Sequence, residues 1–572
     1  MLPRPMLVYR DAAVHRPPRD AVADCHQHLT TLARATTPNH DDLVDALIEA
    51  GRLESALADA RCPVIDEREP RLVVARELSA QLGAAVWASW HGRPCEAYIG
   101  LAHRALGHLD LHDLPPTLRL TVPEGYAYYA LYPEAYGDAV HAWASRARPP
   151  RVLCLGVRSI GTSLSAMARA ALVDLGIPVE TWTIRPHGHP FEREVRMARS
   201  LVSPLERHEA TCLLVDEGPG LSGSSLAGAA EALAALGVPD DRIVFVAAWQ
   251  PDPTHLRSSR ARDRWRRHAV IVGALAHVRP SLAREGVVAA DALDISGGTW
   301  RRLLPTDVRW PAANPQHERL KYLEDGRVTR FAGLGGFGEA RRVRAARLGD
   351  AGWTTGVDTF RRGLLTSAWV PARPLDSSGL DQMFLAHALE YIAWLRREMP
   401  TGARADAGPL GAMLRTNVAE GLGDDWVAAA DRLSAASRGW DEPAIAHDGR
   451  LVLHEWLRTS DGWLKADALD HHDDHFLPGP ADGAWDLAGL LVETAIGGTT
   501  ADDLVRRYGA LTGDGTIAHR LPFHRAAYAA FRLGLCTLSA ESVRADEARR
   551  FTRAAGRYRD ALRAALAAAS EA

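Results

Sequence analysis

From Arg151 to Trp249, short apolar runs alternate with longer stretches in which apolar residues recur every third or fourth position. RVLCLGV (151–157), VETWTIRP (179–186), TCLLVDEG (211–218) and RIVFVAAW (242–249) read as buried strands, because short apolar runs bounded by polar residues fit strands covered on both faces. GTSLSAMARAALVDLG (161–176) and SSLAGAAEALAALG (224–237) read as helices, the second ending near Gly237. Strands interleaved with helices predict a parallel, doubly wound α/β sheet with ligands off the carboxyl ends of its strands. Upstream, NHDDLVDALIEAGRLESALADA (39–60) predicts a helical hairpin, capped by Asn39 and broken at Gly51.

The pattern changes at 290–320, where SGGTWRRLLPTDVRWPAANPQ (296–316) gathers glycine and proline and carries the chain between units. GRVTRFAGLGGFGEARRVRAARL (326–348) then predicts strand, glycine loop and helix. LLTSAWVPARPL (364–375) predicts a strand with a proline exit, and the chain from 376 onward reads as mainly helical. At 572 residues the chain is too long for one core. The expected fold class is α/β and α+β multidomain: a helical extension over 1–70, a parallel-sheet domain over 71–290, a linker and small lobe over 291–375, and a helical lobe over 376–572.

Charge and composition narrow the partners. Lysines and arginines number 67 against 71 acids, for a net charge of −4, which leaves no footprint for nucleic acid or an anionic membrane. The one basic block, RSSRARDRWRRH (257–268), reads as a solvated face. Six cysteines lie far apart with no CxxC pair, as reduced, buried thiols would. Neither a signal-peptide core nor a run of about 18 apolar residues occurs. A cytoplasmic protein with small-molecule substrates is expected.

LLVDEGPGLSGSS (213–225) carries the first candidate chemistry. The loop joins a strand to a helix start, where free amides and the positive end of the helix dipole favour an anion. Gly218, Gly220 and Gly223 let the backbone close around it, and Ser222, Ser224 and Ser225 add hydroxyls. Asp216 and Glu217 stand at the strand end, where they could hold the vicinal hydroxyls of a sugar phosphate. Together these residues resemble the ribose-phosphate motif of the type I phosphoribosyltransferases, over roughly residues 75–275. The resemblance implies a Rossmann-like parallel-sheet domain. In it Asp216 and Glu217 would bind the ribose of phosphoribosyl pyrophosphate (PRPP), and Gly220, Ser222, Gly223, Ser224 and Ser225 its 5-phosphate. It also implies pyrophosphate contacts from Arg158, Ser159, Gly161 and Thr162 of GVRSIGTSLS (156–165). Arg185, with His187, His189 and Arg193, would stabilise the charge growing on pyrophosphate, and Mg²⁺ would bridge pyrophosphate and ribose. The reaction would be displacement at the anomeric carbon by a base-like or heterocyclic acceptor. Serines stand where the family's loop more often has threonines.

A second segment, HDGRLVLHEWLRTSDGWLKADALDHHDDHFLPGPADGAWDLAGLLVE (447–493), crowds acids and histidines beside apolar runs, which predicts a cleft. It resembles the catalytic region of aminoglycoside-phosphotransferase-like and fructosamine-kinase-like small-molecule kinases, which implies a bilobal kinase-like domain. Asp448 would then align or deprotonate the attacking hydroxyl, Asp467 would hold Mg²⁺ on the phosphates of ATP, and Asp486 would brace the catalytic loop. FAGLGGFG (331–338) would cover the nucleotide with Arg330 on its phosphates, and TSAWVPARPL (366–375) would run through the hinge. Leu453 stands where the family places an Asn, so either Glu455 binds Mg²⁺ instead or the domain binds a nucleotide without turnover. Arg330 or Lys321 stands for the usual strand lysine, at a cost in geometry. HHDDH (471–475) reads as substrate or Mg²⁺ contacts rather than a zinc site, because consecutive residues rarely point one way.

Two functions follow. One is a bifunctional enzyme, a phosphoribosyltransferase joined to an ATP-dependent small-molecule kinase. The other is a regulatory or stress-response protein that senses PRPP and ATP with little catalysis.

Overall fold

A computed structural model describes residues 6–10, 12–207, 209–220, 222–305 and 309–571. Leu221 of the glycine and serine loop, and residues 306–308 of the expected connecting stretch, lie outside them. The apolar runs form a five-stranded parallel sheet in the order Val179–Ile184, Val152–Val157, Thr211–Val215, Ile243–Ala247 and Ala269–Val272. Every residue of Val152–Val157 and Ile243–Ala247 is buried, as a sheet covered on both faces requires. The fifth strand was not read from the sequence, being short and directly behind the arginine block. Strand order reverses between Val152–Val157 and Thr211–Val215, so a switch-point crevice opens at their carboxyl ends. Gly161 sits in that crevice: a Cβ there would stand 2.4 Å from the Val215 carbonyl oxygen, so only glycine allows the helix start to press on the neighbouring strand end.

The N-terminal helices Pro18–Arg34, His40–Arg61 and Val73–Trp90 pack into the same hydrophobic core as this sheet. Asn39 caps the second, accepting the Asp41 N–H at 3.2 Å. Gly51 does not break it. The helix runs straight through, and the glycine instead admits helix Ile160–Asp174, with Ser163 Cβ 3.0 Å from where its own Cβ would lie.

A second core begins near residue 332 and also takes in Val8. The N-terminal segment reaches it by pairing Tyr9 with Phe476. An antiparallel sheet runs in the order Leu293–Asp294, Lys321–Glu324, Arg327–Phe331, Leu364–Ala368 and Thr359–Arg361, with helix Gly335–Asp350 between its strands in sequence. Helices follow, broken by the hairpin Trp456–Thr459 and Gly462–Lys465. The chain is thus a mixed α/β multidomain protein containing a parallel sheet.

The short helix Glu124–Tyr128 lies between the cores. The Leu334 N–H donates to the Tyr126 carbonyl at 2.9 Å, and the Tyr128 hydroxyl donates to the Asp473 carbonyl at 2.5 Å. The Arg341 guanidinium donates to the carbonyls of Ala127 and Ala332 and to Asp473 Oδ1. Among the described residues no helix is long and apolar enough to cross a membrane, and all six cysteines are buried and unpaired.

Candidate functional site

Asp216 and Glu217 emerge from strand Thr211–Val215 beside the switch-point crevice, half-buried. Their backbone is fixed from two sides. The Asp216 N–H donates to the Val246 carbonyl at 3.1 Å, the Ala248 N–H donates to the Glu217 carbonyl at 2.8 Å, and the Tyr136 hydroxyl lies 2.9 and 3.0 Å from the two carbonyls of the pair. Asp216 Oδ1 accepts the Glu217 amide at 2.8 Å, and Glu217 Oε2 accepts the Gly125 amide at 2.9 Å. Burial pushes Asp216 up to about 7. Burial also holds Glu217 well above the carboxylate range, with Glu124 and Asp216 adding to it.

The loop that follows is partly covered. Gly220 and Gly223 take the left-handed conformation, at φ +51° and +64°, and helix Ser224–Ala235 begins directly after, with Ser225 in its first turn. The Ser224 hydroxyl donates to the Pro190 carbonyl at 2.6 Å and lies 2.9 Å from that of Ser222. Pro190 belongs to the segment of Arg185, His187, His189 and Arg193, expected to stabilise charge on pyrophosphate. That segment contains the hairpin Pro186–His187 and Glu194–Val195, and the Arg193 carbonyl lies 2.4 Å from where a Cβ on Gly228 of the helix would be.

Arg158 and Arg185 do not face an open anion site. Arg158 donates to Asp59 Oδ1 at 3.1 Å and to Asp66, while Arg185 donates to Asp59 Oδ1 at 2.9 Å and its amide to Asp66 Oδ2 at 2.7 Å. Two carboxylates from the N-terminal region therefore neutralise the two cations read as pyrophosphate contacts. The Thr162 hydroxyl is 2.8 Å from that of Ser55, and the Ser159 hydroxyl is buried without a partner. Nothing local in the sequence signals this pairing, because Asp59 and Asp66 lie far upstream.

The second constellation lies around a cavity of about 440 Å³ in the C-terminal half. Segment Ala368–Pro374, the expected hinge, lines one wall; Lys321, Arg330 and Asp467 line another, and Glu455, Lys465 and His471 a third. Arg330 Nη1 donates to Asp467 Oδ1 at 3.1 Å, and Lys321 Nζ is 4.0 Å from Oδ2. Asp486 braces the loop: its two oxygens accept the backbone amides of Asp448 and Gly449 at 2.8 and 2.9 Å. Burial and the neighbouring Asp448 push Asp486 up to about 7, against the pull of those two amides.

Asp448 itself stands behind the cavity wall, fully buried. It accepts the Tyr391 hydroxyl at 2.6 Å, and Lys465 Nζ lies 3.4 Å from its other oxygen. Burial opposes its ionisation, but Lys465 and His471 outweigh burial and hold it below the usual carboxylate range. Lys465 also donates to Glu455 Oε2 at 2.9 Å, so this carboxylate, read as a Mg²⁺ ligand, meets an internal ammonium instead. Burial raises Glu455 despite that ammonium. Sequence reading missed Lys465. The alternation of strand Gly462–Lys465 places Lys465 on the buried side with Trp463, and an inward lysine in a strand two residues before Asp467 is a signal that could have found it.

The glycine turn also differs from expectation. FAGLGGFG does not cover the cavity but runs into helix Gly335–Asp350, whose Gly336 amide is taken by Asp45 Oδ1 at 2.9 Å. HHDDH divides its duties. Asp474 holds Arg319 at 2.9 Å, joined by Asp470 just before the run at 2.6 Å, Asp473 holds Arg341 at 3.0 Å, and His475 lies 3.0 Å from the Tyr129 hydroxyl. Of the three histidines in the run, only His471 reaches the cavity wall. A divalent ion fits this donor set on the Asp467 side, where Oδ2 and His471 Nε2 face each other at 4.0 Å.

No protein-family model matches the chain, and no curated protein matches it. Among solved structures, a choline/ethanolamine kinase family protein from Mesorhizobium loti is 16% identical, with a TM-score of 0.35 over 52% of this chain and 99% of that one. Choline kinase LicA from Streptococcus pneumoniae is 14% identical, with a TM-score of 0.31 over 45% of this chain and 95% of that one. A glucosamine kinase is 17% identical, with a TM-score of 0.24 over 51% and 82%. With these TM-scores below 0.5, what the site can do follows from its own geometry.

Proposed function

We propose that the C-terminal half is an ATP-dependent phosphotransferase acting on a hydroxyl of a small molecule. The observation that carries this reading is the lining of the cavity. A triphosphate needs cations and a metal-binding carboxylate, which Arg330, Lys321 and Asp467 offer together. An acceptor hydroxyl needs a carboxylate of raised proton affinity, which Glu455 offers on the same cavity. A base needs a mainly apolar wall, which the hinge segment offers. Glu455 rather than Asp448 faces the acceptor, and Asp448 positions Lys465 and the loop behind it. A divalent cation bound at Asp467 would offset phosphate charge. The test separates binding from transfer: Glu455→Gln should bind ATP within about twofold of wild type while transfer falls about 10²-fold or more. Unchanged transfer in that variant would remove Glu455 from the role.

For the N-terminal half, the raised acid pair at the switch-point crevice supports a site for a phosphoribosyl-type ligand such as PRPP. Because Arg158 and Arg185 are neutralised and Ser224 is covered, this geometry favours sensing over transfer to a base. Saturable PRPP binding without pyrophosphate release, measured with Mg²⁺ across bases and heterocycles, is the expected result; release dependent on one acceptor would restore the transferase. The division at 1–70, 71–290, 291–375 and 376–572 belongs to the same proposal, with Val8 packing in the second core and Ala21 onward in the first.

A further inference from the structure

His471 is the residue that the phosphotransferase reading leaves unexplained. It is 7% exposed and lines the cavity beside Asp467. Its Nδ1 lies 3.0 Å from the Asp448 carbonyl oxygen. A carbonyl only accepts, so Nδ1 carries the proton, and the lone pair of the neutral ring is on Nε2. Nε2 accepts and donates no hydrogen bond among the described residues. It points at Asp467 Oδ2, 4.0 Å away. That gap is too long for a hydrogen bond. It lies within the roughly 4.2 Å that two ligand atoms, each about 2.1 Å from one ion, can span at most.

The surroundings have the form of a metal site's outer shell. A ligating imidazole ordinarily gives its other N–H to a carbonyl or carboxylate, and ligating carboxylates are themselves hydrogen-bonded. Here the Asp448 carbonyl accepts the imidazole N–H, Arg330 donates to Asp467 Oδ1, and Arg319 donates to Asp470 Oδ2 at 2.6 Å. Ligand atoms of Asp467, Asp470 and His471 lie within 4.8 Å of one another. His471 also neighbours a second group, with Asp448 and Glu455, but there the Lys465 ammonium already stands between the carboxylates, 3.4 and 2.9 Å from them. One position is open to a metal, and the other holds an internal cation.

We infer that His471, Asp467 and Asp470 hold a single first-row transition-metal cation, with Lys465 standing where a second cation would otherwise sit. Mg²⁺ prefers an all-oxygen, largely hydrated shell, whereas an imidazole nitrogen favours the first-row transition ions, of which Mn²⁺ is the weakest binder. The inference rests on the phosphotransferase reading for the metal's use but not for its presence, since metal binding is measured without nucleotide.

The test is Mn²⁺ binding to the full-length chain by loss of the free-ion electron paramagnetic resonance signal, with nitrogen hyperfine coupling recorded on the bound ion. Expected are one Mn²⁺ per chain, bound at least about tenfold more tightly than Mg²⁺ in competition, and coupling to one histidine nitrogen. Affinity should fall about tenfold or more in His471→Ala and stay within about twofold in Glu455→Gln. Two ions per chain, absent nitrogen coupling in wild type, or His471→Ala binding equal to wild type would each overturn it. The wild-type hyperfine measurement decides the matter even if a variant fails to fold. Metal bound in this way without phosphate transfer would sink the enzyme reading and leave the site standing.

Discussion

Asp216 shows how far a single residue can be read. Its type and its place after a buried strand were legible, because strand, acids and glycine loop are contiguous. Its environment was not: Tyr136 and Val246, which fix its backbone, come from other elements. The consequence is testable through pH. With an ordinary value of 3.8 and a folded value of about 7, the folded state holds this proton more tightly than the unfolded chain. The stability it contributes is full below the ordinary value and is lost as pH rises through about 7. Asp216→Asn lacks that loss. Between pH 5 and pH 8 the variant should gain on wild type by about 1 kcal/mol, roughly half of what a wholly shielded group with such a shift would give over that window. Urea unfolding at the two pH values measures it, and a difference that does not move with pH would show that Asp216 is not held in its protonated form.

At the scale of elements, apolar runs and helical spacing located four strands of the parallel sheet and two of the helices from 151 to 249 because each signal is local. Gly51 misled for a physical reason. A glycine in a helix reads as a break, yet here it is kept for close approach to Ser163, a contact that exists only in the tertiary structure. FAGLGGFG differs for the same kind of reason, Gly335 and Gly336 meeting Asp45 while Gly333 and Gly338 pack against each other. Asp486 was legible because its WDLA helix start follows Asp448 and Asp467 at a recognisable distance. Removing both its oxygens in Asp486→Ala orphans two buried amides, and should cost about 3 kcal/mol of unfolding free energy. A loss below about 0.5 kcal/mol in urea titration would mean the loop needs no such brace.

At the scale of the whole molecule, each half carries a candidate constellation that is contiguous in sequence, but nothing announced how they join. Tyr128, Arg341 and Asp473 are far apart in the chain and belong to no periodic pattern, so their meeting was invisible until the fold was known. Arg341, 2% exposed, ties the helix between the cores to both. Arg341→Met should lower stability by about 3 to 5 kcal/mol, the usual cost of stranding buried partners. In calorimetry it should split one unfolding transition into two; a single transition at unchanged temperature would show that the halves are joined elsewhere. The central claim is that phosphate leaves ATP for a small-molecule hydroxyl in the cavity at Asp467. Its most direct measurement is single-turnover transfer from γ-labelled ATP across a panel of hydroxyl acceptors, comparing wild type with Asp467→Asn. The account predicts a labelled product with wild type and transfer at least about 100-fold slower in the variant. ATP bound with no product from any acceptor, or equal rates in both proteins, would contradict it.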